Sequence, residues 1–178
     1  MQLAPATSTA QMPAPISVIV NLSTAAPHHH PRYGDRVASN VRAAFSEPDA
    51  TVEASVSTYD PLWDGPYAQP ADPSDWQVER TAASSPVLAA AVAGLRDAIA
   101  GADLATLPKA ETTSDPDYAT FHVRYAAKPV GLDHLRPWQE RDGSWTVYLR
   151  TPLGTLFDEP RLAPLVEAAR SVLAAAHP

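Results

Sequence analysis

The stretch Ile16–Phe45, ISVIVNLSTAAPHHHPRYGDRVASNVRAAF, sets the tightest limit on what this chain can fold into. Its first seven residues are apolar at nearly every position (Ile16, Val18, Ile19, Val20, Leu22) and rich in β-branched side chains. Such a run predicts a strand buried on both faces, because a half-wet strand would alternate. A polar loop over Ser23–Gly34 follows and carries half of the chain's 6 histidines. Asp35 is a good N-cap. Beyond it Val37, Val41 and Phe45, with Ala38 and Ala44, share one face at helical spacing, and Arg36, Ser39, Asn40 and Arg42 lie off it. A helix is therefore expected from about Asp35 to Phe45, stopped by Pro48. Strand, loop and helix in that order is where α/β proteins often place a binding site.

Further along, Thr51–Tyr59 alternates Val52, Ala54 and Val56 against Glu53, Ser55 and Ser57, the pattern of a strand with one wet face. Paired with the first strand it would complete a right-handed βαβ unit. Asp60–Ser84 reads as one long irregular segment, interrupted by Pro61, Pro66, Pro70 and Pro73. Ser85-Pro86 is an N-cap followed by a first-turn proline, and Leu88, Val92, Leu95 and Ile99 then mark a helix that Gly101 ends. Thr120–Tyr125 and Ser144–Arg150 both alternate. Asp142-Gly143 suggests a two-residue hairpin turn before the second of them, with Leu135–Arg141 as an edge strand because it contains Pro137. Leu162, Leu165, Val166, Ala169, Val172 and Leu173 give a last helical stripe. The expected architecture is α/β in the mixed, α+β sense: a βαβ unit, a helix, an antiparallel meander and a C-terminal helix, with helices packed on a mixed sheet. Residues 1–15 form a Pro/Ala-rich arm, and 16–178 one domain.

Composition narrows the function. The chain has no cysteine, so disulfides, thiolate metal sites and a cysteine nucleophile are excluded. A net charge of −7 argues against nucleic acid and anionic membrane as partners. No run approaches the roughly 20 apolar residues of a membrane span. The N-terminus lacks the basic and apolar regions of a signal peptide, so a cytoplasmic location is the expectation. Between Ala43 and Glu79 there are eight acids and no Lys or Arg, whereas Tyr118–Phe157 holds five bases against three acids. The charge is segregated along the chain.

Three constellations are candidates for chemistry. His28 and His30 with Asp35 form a weak metal or anion set; adjacent histidines in an extended loop point apart, so His122 or His134 would have to complete it. His122 beside Arg124 is a candidate general base, with Asp115 or Asp117 close in sequence. The third is the acidic-aromatic stretch YDPLWDGPYAQPADPSDWQVE, in which Asp60, Trp63, Asp64, Tyr67, Asp72, Asp75 and Trp76 offer anchors for a basic protein or a platform for a sugar. Neither G-x-x-x-x-G-K-[ST] nor G-x-G-x-x-G occurs, and no cofactor is expected.

Because no catalytic set is complete, the sequence favours a non-enzymatic interaction or assembly subunit. It would be part of a larger particle, or an inhibitor or immunity-type protein, docking a protein partner through the acidic-aromatic segment and forming homo- or hetero-oligomers. A small hydrolase or transferase built on His28–His30 with His122 is the first alternative. A small-ligand or carbohydrate binder using Trp63, Tyr67 and Trp76 is the second.

Overall fold

The apolar run at Ile16–Leu22 does become a strand, and it extends well past its apolar part. The computed structural model describes residues 11–30, 34–46, 50–59, 75–107, 117–153 and 160–178. Its elements are β1 (Pro15–His30), β2 (Gly34–Ala44), β3 (Thr51–Tyr59), β4 (Trp76–Thr81), α1 (Pro86–Gly101), β5 (Tyr118–Tyr125), β6 (Trp138–Gln139), β7 (Trp145–Pro152) and α2 (Ala163–Ala176). The strands form one seven-stranded sheet in the order β4-β3-β2-β1-β5-β7-β6. Every pairing in it is antiparallel. The expected α+β class, with a C-terminal helix and helices on a sheet, is what the chain forms.

Two expectations about its first third are corrected. The segment expected to be a helix from Asp35 is the strand β2, which pairs with β1 in the register Val20↔Val41. Among the described residues there is no βαβ unit, and β1, β2 and β3 form an antiparallel meander. Two periods compete in this segment. Val41, Ala43 and Phe45 recur every second residue and are buried, while Arg42 is exposed. The second correction is to the covering of β1. Val18, Val20 and Leu22 are buried, but Ile16 is 40% exposed and Ile19 is only half-buried. One face of β1 is core and the other is not.

The reason lies with the helices. Both α1 and α2 pack on the face that carries Val18, Val20, Val41, Val52, Phe121, Val123, Val147 and Leu149, and on each other. Leu88, Val92, Leu95 and Ile99 of α1 and Leu165, Val166, Ala169 and Val172 of α2 close the core, as their spacing predicted. Ser85 Oγ accepts the Leu88 N–H at 3.4 Å and caps α1. The opposite sheet face carries no helix among the described residues.

Part of the segment expected to be irregular is also a strand. In β4, half-buried Trp76, Val78 and Arg80 alternate with exposed Gln77, Glu79 and Thr81. The turn before β7 is a three-residue loop and not a two-residue one. Glu140 N–H donates to Ser144 O, Gly143 N–H donates to Glu140 O, and Gly143 sits at φ +85°. This is a type I turn closed by a glycine bulge, which spares Asp142 the positive φ a two-residue type I′ turn would impose. Proline 137 does precede an edge strand, β6, of two residues.

Candidate functional site

On the uncovered face, period-two geometry gathers side chains from strands far apart in sequence. The register puts Ile19, His122 and Tyr148 in one row across β1, β5 and β7. Ser17, Arg124, Thr146 and Trp138 form the next row, and Asn21, Thr120 and Arg150 the row on the other side. Between Ile19, Asn21, His122 and Trp138 lies a shallow cleft of about 240 Å³. The His122 ring lies 5.0 Å from that of Tyr148 and 6.3 Å from that of Trp138, nearly perpendicular to the latter.

The rim is held by hydrogen bonds. Glu140 Oε1 accepts from Trp138 Nε1 at 2.8 Å and from Thr146 Oγ1 at 2.7 Å, which fixes an indole ring that is 41% exposed. Arg124 Nη2 donates to Asp142 Oδ2 at 2.5 Å and to Ser144 Oγ at 2.7 Å. Asp142 in turn accepts the Ser144 hydroxyl and N–H. Those two bonds, the hydroxyl first, together with the Arg124 guanidinium, bring the Asp142 carboxyl down to about 2. Asn21 Nδ2 donates to Thr120 Oγ1 at 3.2 Å.

Two of the further cations on this face, Arg36 and Arg150, differ in their partners. The Arg36 guanidinium donates to Asp117 Oδ1 at 2.8 Å and to Ser23 Oγ at 2.9 Å. The Arg150 guanidinium stacks over the Tyr118 ring at 4.3 Å and meets no carboxylate among the described residues. Its Nε is buried without an acceptor.

Of the residues singled out from sequence, His122 and Arg124 are brought together here. His122 meets aromatic rings, not Asp117, which pairs with Arg36. Within the described residues no hydroxyl or carboxylate bonds to the imidazole, and Thr146 gives its proton to Glu140. The side chains of His28, His30 and Asp35 lie outside the described residues. Their backbone belongs to β1 and β2, so the helix N-terminus expected beside them does not exist. Among the described residues no group of three His, Asp or Glu side chains could hold a metal ion, and no helix is long and apolar enough to cross a membrane. Asp60, Trp63, Asp64, Tyr67 and Asp72 lie outside the described residues. Asp75 Oδ1 accepts the Thr58 N–H and hydroxyl at 2.9 and 3.0 Å, tying β4 to β3. Trp76 meets the His177 ring edge-on at 5.2 Å, at the end of α2.

Trp138, Glu140, Tyr148 and Arg150 were not among the residues marked in advance. Their signal was partly present: Thr120, His122, Arg124 and Thr146, Tyr148, Arg150 are the polar halves of two alternating strands. Only pairing makes them one surface. Comparison of the chain with family models, with curated proteins and with solved structures finds no match.

Proposed function

We propose that the chain is a non-enzymatic assembly subunit that docks through the uncovered face of its sheet, and that the occupant is the acidic-aromatic segment of a second copy. The observation that carries this reading is the one-sided sheet: a seven-stranded layer with both helices on one face and an aromatic, cationic cleft on the other. A partner for that face needs a carboxylate for Arg150 and an aromatic or apolar side chain for the cleft between Ile19, His122 and Trp138. Asp60, Trp63, Asp64, Tyr67 and Asp72 supply both kinds of group in thirteen residues of this same sequence. Charge complementarity between this segment and the Arg150 side of the sheet favours a contact between two copies of the chain.

Sedimentation velocity over a range of protein concentrations tests the reading. Reversible self-association is expected, weakened by added salt because the ion pairs are solvent-facing. Arg150→Glu and Trp138→Ala should each weaken it about tenfold or more, in line with the loss of interface anchors, while leaving the thermal midpoint unchanged at dilutions where the chain is monomeric. A monomer under all conditions overturns the proposal, as does association that neither substitution affects.

A further inference from the structure

Part of the outer edge of β7 is covered by no strand among the described residues. β7 pairs with β5 from Trp145 to Pro152, whereas β6 meets it only at Trp145 and Thr146. In an antiparallel ladder the backbone groups of successive residues point alternately to the two neighbouring strands. Glu140 N–H donates to Ser144 O on the β6 side, and Leu153 N–H donates to Asp117 O on the β5 side. Even-numbered residues of β7 therefore turn their N–H and C=O outward. Thr146 faces Trp138, but beyond it Tyr148 and Arg150 face no strand among the described residues.

β6 does not extend to cover them. Arg136 is left-handed at φ 54° and Pro137 has no N–H, so the chain leaves the ladder before Trp138. The turn Asp133–Leu135 comes near β7, with Leu135 packed against the core, and no backbone hydrogen bond joins the two. At the far end Pro152 also faces outward and has no N–H to give. A short gap remains at Tyr148–Arg150, with two N–H and two C=O groups. The two edges of the sheet also differ in charge. On β4, Ala82 N–H donates to Ala50 O, so Gln77, Glu79 and Thr81 present the outward backbone groups. Glu79 is exposed at that edge, while Arg150 stands in the β7 gap with no carboxylate among the described residues. An acidic strand is disfavoured at the first edge and favoured at the second, because across a ladder opposite charges stabilise and like charges destabilise.

The sequence between β3 and β4 suits a gap of this length. Pro61, Pro66, Pro70 and Pro73 divide it into short runs, and each proline removes a ladder hydrogen bond. The longest run, Leu62–Gly65, carries Trp63 and Asp64. Held extended, it would place Leu62 and Asp64 on one side, an apolar side chain and a carboxylate together. We infer that Leu62–Gly65 of a second copy adds to the outer edge of β7 as an antiparallel strand in line with β6, with Asp64 beside Arg150. This rests on the reading that the open face takes the acidic-aromatic segment of a second copy. It adds that backbone hydrogen bonds to Tyr148 and Arg150 hold the segment there.

Hydrogen exchange of the full-length chain at two concentrations tests this at the Tyr148 and Arg150 amides. In dilute solution both should show as little protection as those of Gln77, Glu79 and Thr81. At about ten times the dissociation constant they should slow about tenfold, while the β4 amides stay as they were. A second measurement uses the peptide Tyr59–Pro66, acetylated and amidated at its ends, as the probe. It should displace the second copy and slow the same two amides. N-methylation at Asp64 or at Trp63 removes one N–H and keeps the side chain. Because strand backbone groups alternate, one of the two modifications should abolish peptide binding and the other leave it largely intact. Equal effects at the two positions overturn the inference. So does association that leaves Tyr148 and Arg150 unslowed, a result that spares docking through side chains on the open face. Slow exchange of both amides already in dilute solution would mean that the chain covers its own gap, and equally overturns it. A chain that stays monomeric at all concentrations removes the docking reading, and the strand addition with it.

Discussion

Asp142 illustrates how a single residue in a turn acquires an acid-sensitive role. Two bonds from Ser144 and one from Arg124 favour its charged form, so its carboxyl titrates at about 2 in place of the ordinary 3.8. A depressed folded-state value stabilises the protein above the unfolded value and loses that contribution as pH falls through the folded one. Asp142→Asn should therefore lower the urea midpoint at pH 7, and the gap from wild type should close between about pH 4 and pH 2; a gap constant with pH would refute this. Arg136 is the other informative position. It sits in the left-handed region at φ 54°, just before Pro137, without being glycine or asparagine. Arg136→Gly should stabilise the fold by about 1 kcal/mol, read from denaturant unfolding, by removing the Cβ clash. Neither residue was legible beforehand. Asp142 was visible as part of an Asp-Gly turn, but whether a turn has two or three residues depends on the strand register, and Pro137 signalled an edge without signalling the strained residue before it.

At the scale of elements, what was legible followed from unambiguous periodicity. Both helices were readable because Leu88, Val92, Leu95 and Ile99, and likewise Leu165, Val166, Ala169 and Val172, fit a period near 3.6 and no other. The segment 35–45 fits two periods, since Val37, Val41 and Phe45 satisfy a spacing of four and also of two. Long-range pairing with β1 decides between them, and a single segment carries no information about its partner. Ala43 separates the two readings experimentally. On a helix it falls off the apolar stripe and would tolerate a charge; in β2 it is 0% exposed, opposite Val52 of β3. Ala43→Asp should cost more than about 3 kcal/mol or abolish folding, because an unpaired carboxylate would enter the core. Arg42→Asp, on the open face, should cost less than about 1 kcal/mol, the usual limit for an exposed ion pair; Arg42 faces Glu53 at 3.7 Å with both side chains mostly exposed. Equal losses at the two positions would contradict the strand. The candidate site was legible to the same limited degree. His122 and Arg124 stood out as polar residues on a wet strand, whereas Trp138 belongs to a strand of two residues whose register no local pattern encodes.

For the whole molecule, the organising fact is that β1 is central and the helices are one-sided. β1 joins two parts of the chain that are distant in sequence: Asn21 bonds to Thr120, 99 residues away. On one flank lies the meander β2-β3-β4 and on the other β5-β7-β6. Protection of backbone amides should therefore fall outward from β1. Its amides at Val18–Leu22, with those of Val41–Ala43 and Phe121–Val123, lie between paired neighbours above a closed core, and should exchange only through openings near the global stability, about 5–15 kcal/mol for a domain. Those of β4 and β6 have a neighbour on one side and should exchange first. Hydrogen exchange at low protein concentration, read residue by residue, checks the order. The same measurement at high concentration separates two ways of assembling. Docking across the open face leaves the outer edge of β4 as it was in the monomer, because that contact is made by side chains. Strand addition at β4 would slow its amides to the level of β3. Slow exchange at β4 in the concentrated sample alone would count against the face-docking model and place the contact between copies at the sheet's edge.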